Sequence, residues 1–71
     1  MALWKLTVKM TIVKSGFRLE RGMSVEVASL ANPILWNNGE AVQEAFMRIY
    51  GVDLKKAGVL NAGYFNVEKI N

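Results

Sequence analysis

The side chains of this chain with a capacity for acid–base or metal chemistry are six carboxylates: Glu20, Glu26, Glu40, Glu44, Asp53 and Glu68. Histidine and cysteine are absent. That removes the commonest general base, the usual nucleophile–base pairs and the usual zinc ligands. The carboxylates form no motif of their own. Glu20 and Glu26 fall at polar positions of an alternating pattern. Glu40 and Glu44 share a helical face on which one is placed to cap the helix and the other to pair with Arg48. None has the spacing of a calcium loop. Gly58 and Gly63 are spaced as in a phosphate-binding loop, but Tyr64-Phe65 follows where Lys and Ser/Thr are required. Turn duty explains the glycines. The sequence assigns no catalytic, cofactor-binding or metal-binding residue, and a non-enzymatic protein without an evident small-molecule ligand is expected.

The remaining polar chemistry is cationic. The net charge is +3, and "LWKLTVKMTIV" sets Lys5, Thr7, Lys9 and Thr11 opposite Trp4, Leu6, Val8, Met10 and Ile12 on an extended chain. With Lys14 and Arg18 nearby, that polar face would be basic and able to meet phosphates. A sheet that binds nucleic acid usually interleaves stacking aromatics among its charges. Here Trp4 has the apolar parity, and Glu20, Glu26 and Glu68 dilute the patch. A solvated face whose lysines discourage edge association is the plainer reading. Weak electrostatic binding of nucleic acid through Lys5, Lys9, Lys14 and Arg18 is the alternative. Residues 42–60 also imitate a helix-turn-helix, but Gly58 interrupts the second helix, and only Lys55 and Lys56 would meet DNA. Trp36, Met47 and Tyr50 serve either as core and rim packing or as an exposed apolar patch. As a patch they would face a protein partner or a second copy, giving a homodimer.

These residues must be positioned by a single domain spanning residues 1–71, small enough to bury only about 60% of the surface its unfolded chain exposes. Its apolar fraction of 52% is high, so packing without disulfides is feasible. Residues 3–13 alternate as one long strand, and Lys14 to Gly16 read as a turn. In "FRLERGMSVEV", Phe17, Leu19, Met23, Val25 and Val27 share a parity, so residues 17–28 form one bent strand or two strands with a corner at Gly22. Asn32-Pro33 marks a turn between the halves. "NNGEAVQEAFMRIYG" carries the helical stripe Val42, Ala45, Phe46, Ile49. Asn37 is its expected N-cap, Glu40 the reciprocal partner and Gly51 the stop. Asn38-Gly39 is also a hairpin dipeptide, but the helical period after it outweighs that signal. Asp53 and Gly58 bracket one further turn, and Tyr64 to Ile70 read as the last strand, paired with the first. The fold class is α+β: a small antiparallel sheet of three or four strands, in the order β-β-(β)-α-β, with one main helix packed on one face. The predicted core is Leu6, Val8, Met10, Ile12, Leu19, Val25, Val27, Val42, Phe46, Ile49, Phe65 and Val67.

With "RGMSVEV" and "FMRIYGVDLKKAG", nearly the whole chain resembles a family of short uncharacterised bacterial proteins. That resemblance implies no activity, cofactor or site residue. No run reaches 18 apolar residues, so a membrane span is not expected. The N-terminal pattern lacks the features of a signal peptide, and absence of cysteine fits a reducing compartment. A cytoplasmic location follows as the expectation.

Overall fold

The computed structural model, which describes residues 2–14 and 16–71, runs β1 (Ala2–Val8), β2 (Ile12–Lys14), β3 (Phe17–Leu19), β4 (Ser24–Ser29), α1 (Glu40–Tyr50), α2 (Leu54–Ala57) and β5 (Phe65–Lys69). β1 lies at the centre of the three-stranded sheet. Its even-numbered side chains Leu6 and Val8 are buried, and it pairs antiparallel with β4 on one side and β5 on the other. Leu6 lies between Val25 and Val67, and Lys5 between Glu26 and Glu68. The three strands and the main helix make the expected α+β fold, with the last strand beside the first.

The expected single strand over 3–13 is broken. The Val8 N–H donates to the Met23 carbonyl, the Lys9 N–H donates to the Tyr64 carbonyl, and the ladder ends there. After a bend the chain resumes as β2, which pairs with β3 to make a separate two-stranded ribbon. The turn expected at Lys14 to Gly16 includes Ser15, which lies outside the described residues. Residues 17–28 are two strands, separated where the Met23 N–H bonds back to the Glu20 carbonyl. Met10 falls in the bend after β1 and is 47% exposed, so it leaves the predicted core, and Ile12 is half-buried.

α1 uses the stripe read from the sequence, burying Val42, Ala45 and Phe46, and packs chiefly against β4. Ile49 continues the stripe by spacing but is 55% exposed. The strand has run out beneath it: the next residue, Tyr50, already reaches Ser24, the first residue of β4. Val67 is half-buried rather than core, since α1 is offset toward β4 and away from β5. Ile34, Ala45, Leu54 and Val59 complete the core and were not in the predicted set. No helix among the described residues is long and apolar enough to cross a membrane.

The start of α1 differs from the expected capping box. Asn37, Asn38 and Gly39 all have positive φ, +52°, +57° and +72°. They form a left-handed turn from which Gly39 opens the helix, and no side chain caps it. Asn and Gly are the residues that adopt this conformation most readily, so the dipeptide's turn preference is realised without a hairpin. Glu40 is thereby free to pair with Lys55 of α2. The expected Glu44–Arg48 pair is not among the ion pairs of the described residues.

α2 is capped as the sequence suggested. The Asp53 carboxylate accepts from the Lys56 N–H at 3.0 Å and from the Gln43 amide at 2.7 Å, while Gly58 ends the turn in the left-handed region. Gln43 also accepts from the Lys55 N–H, so one side chain of α1 holds α2 through both its donor and its acceptor. The Lys56 N–H first, then the Gln43 amide, hold the Asp53 carboxyl below its ordinary value. A depressed folded value means that Asp53 stabilises the fold above the unfolded carboxyl's value of about 3.9, and that this stabilisation disappears as pH falls through the folded value. Asp53→Ala is expected to lower the urea midpoint at neutral pH, with the gap to the parent protein closing below about pH 4. A gap that is independent of pH would exclude this role.

Candidate functional site

The four cations of the nucleic-acid alternative are dispersed. Lys5 lies on the outer face of the sheet, flanked by Glu26 and Glu68 on the neighbouring strands. Lys9 stands where β1 ends. In the ribbon, Lys14 pairs with Phe17 and Val13 with Arg18, which puts Lys14 and Arg18 on opposite faces. The Lys14 ammonium donates to the Ala57 carbonyl at 2.9 Å, tying the ribbon to α2, and Arg18 pairs with Glu20 at 2.7 Å. An open groove of about 620 Å³ lies between the ribbon and the α1–α2 junction. Lys14, Phe17, Val52, Asp53 and Lys56 line it, but its carboxylate is already engaged in capping α2 and the Lys14 ammonium bonds to Ala57. The second half of the helix-turn-helix imitation is four residues long, too short to lie in a groove of DNA as a recognition helix.

Trp36 and Tyr50 lie at opposite ends of α1, and Met47 sits one turn before Tyr50. Trp36 precedes the left-handed turn, and α1 has eleven residues, so about 16 Å of helix separates its ends. Met47 is exposed on the outer side of α1. The Tyr50 ring stacks on Phe46 with centroids 5.4 Å apart. Its hydroxyl accepts from the Ser24 N–H at 3.1 Å and donates to the Ser24 carbonyl at 3.0 Å.

That contact directs attention to the two edges of the sheet. On β4, the Met23 carbonyl faces β1. Backbone groups alternate in direction along a strand, so those of Ser24, Glu26 and Ala28 face outward. On β5, the Tyr64 carbonyl and the Ile70 N–H bond to β1, so the backbone groups of Phe65, Val67 and Lys69 face outward. Among the described residues, β5 pairs with β1 alone. No hydrogen bond to the outward groups of Phe65, Val67 or Lys69 is found among the described residues.

The two edges differ when each is set against its own copy in antiparallel register. For β5, a twofold axis through Val67 places Val67 opposite itself, Phe65 opposite Lys69, and Asn66 opposite Glu68. An apolar pair forms at the centre and like charges are not opposed. For β4 the central residue is Glu26, which would oppose itself and repel. One edge is self-complementary and the other is not. Sequence reasoning missed both, because an edge is defined by strand order, and strand order is not written in the alternation of any one strand. The parity of Phe65 and Val67 and the acid at Glu26 were the visible signals.

The model of a family of unknown function (DUF6140) matches residues 1–67, and the chain belongs to that family. No curated protein and no solved structure matches it.

Proposed function

We propose that this family member is a non-enzymatic assembly module of the cytoplasm that pairs with a second copy of itself through the edge of β5. The observation that carries the proposal is the open, half-covered β5 strand, whose outward backbone groups are unpaired and whose symmetric register is free of like-charge opposition. Pairing about Val67 forms six backbone hydrogen bonds, because Phe65, Val67 and Lys69 each exchange two with the residue opposite. It turns two three-stranded sheets into one of six strands. It also covers Val67, which α1 leaves half-buried, and lays the Lys69 methylene stem over Phe65 of the other copy. Each hydrogen bond contributes about 1 kcal/mol net, while association costs at least about 4 kcal/mol in lost freedom. The dimer is therefore weak and concentration-dependent. Dispersal of Lys5, Lys9, Lys14 and Arg18 favours this reading over a nucleic-acid surface.

Sedimentation equilibrium over a wide concentration range tests it. The native chain is expected to move from monomer to dimer. Lys69→Pro removes one outward N–H and none that faces β1, so it is tolerated at an edge. It should hold the protein monomeric at every concentration while leaving its circular dichroism intact. A native chain that stays monomeric at the highest concentration, or a Lys69→Pro variant that still dimerises, rules out the β5 edge. Steeply salt-dependent binding of a mixed-sequence oligonucleotide would restore the alternative.

A further inference from the structure

A dimer built through β5 still carries two β4 edges, one at each end of its enlarged sheet, and an edge with free backbone groups recruits further strands. The structure assigns Tyr50 to this problem: we propose that its hydroxyl plugs the β4 edge and stops the sheet from growing. The inference rests on the β5 pairing for the location of the remaining edges, but its geometry stands within one chain. A strand adding to β4 would donate an N–H to the Ser24 carbonyl and accept from the Ser24 N–H. The Tyr50 hydroxyl, at once donor and acceptor, already makes both bonds, at 3.0 and 3.1 Å. The ring cannot swing aside without losing its stacking on Phe46, which is fully buried. Glu26, two residues along, adds repulsion against a symmetric second β4. Together they leave one productive edge per chain. Pairing of identical surfaces about a twofold axis closes on itself, whereas pairing β5 of one copy with β4 of the next would continue without end.

Tyr50→Phe keeps the ring and removes the plug. The weight-average mass from light scattering is expected to rise at least twofold above that of the native chain at equal concentration. Adding Ser24→Pro, which deletes the outward N–H that the hydroxyl had bonded, should return the mass to the native value. An unchanged mass for Tyr50→Phe overturns the proposal. So does a rise that persists in the double variant, which marks general unfolding rather than strand addition. Amide hydrogen exchange on the native chain provides a measurement that needs no variant. The Ser24 amide should exchange at least tenfold more slowly than those of Glu26 and Ala28, and equal rates would refute the plug. The β5 reading fails separately, through Lys69→Pro, since a native monomer whose Tyr50→Phe variant associates reversibly at Ser24 would support the plug alone.

Discussion

Gly39→Ala is expected to destabilise the protein by about 2–5 kcal/mol, the sum of a conformational and a packing cost. Gly39 has φ +72°, where a side chain costs about 1–2 kcal/mol. It is also buried, and a Cβ there would lie 2.8 Å from Leu60 Cδ2 and 3.2 Å from the Ile34 carbonyl oxygen. The leucine tip can rotate, but the carbonyl belongs to the Asn32–Leu35 turn and cannot move alone. Overpacking of this kind adds about 1–3 kcal/mol. Gly51 supplies the control. Its φ is +69°, yet an added Cβ there meets nothing within 4 Å. Gly51→Ala should therefore show the conformational cost alone, about 1–2 kcal/mol. Urea denaturation followed by tryptophan fluorescence compares them, and equal losses would show that the space around Gly39 is irrelevant.

Phe46→Ala is expected to cost about 3–5 kcal/mol, the range for a fully buried aromatic cut back to a methyl. A chain of 71 residues has a total stability of roughly 4–11 kcal/mol, so this one change removes between about a quarter and all of it. Phe46 is 0% exposed, and its ring lies 5.4 Å from that of Tyr50 and 5.6 Å from that of Phe65. It thus joins α1 to the sheet and holds the residue that bonds to the β4 edge. The variant should melt far below the native chain or be unfolded at room temperature. A midpoint within about 1 kcal/mol of native would mean that the neighbours close the cavity, against the usual behaviour of such sites.

Much of the fold is legible in the residue pattern, and each failure has its own physical cause. Leu6 and Val8 inside, α1 along Val42, Ala45 and Phe46, the Asp53 cap and the first–last strand pairing all follow from period and turn chemistry. The strand break does not. Met10 and Ile12 keep the parity of Leu6 and Val8, but parity reports which way a side chain points, not whether a neighbouring strand is still present. Ile34, Leu54 and Val59 lie in segments too short to display a period, so their burial is visible only once α1 and α2 are placed. The left-handed turn is hidden differently. Asn37 satisfies the N-cap rule by composition, yet three successive positive φ values rotate the chain away from the cap geometry. For the candidate site, the decisive fact is which strands are outermost, and this depends on the order of the whole sheet. Tyr50 stands out in the sequence as an aromatic, whereas the two bonds between its hydroxyl and Ser24 emerge only from the fold.

The central position of β1 has a bearing on how the molecule is made. Leu6 is synthesised before both of its cross-strand neighbours, and it must wait for Val25 on one side and Val67 on the other. Until β5 leaves the ribosome, the nascent chain presents the apolar middle of its own sheet with one flank vacant. Such long-range closure slows folding relative to a helical protein of equal length. The growing polypeptide is consequently vulnerable to misassociation in the interval between the emergence of β4 and that of β5.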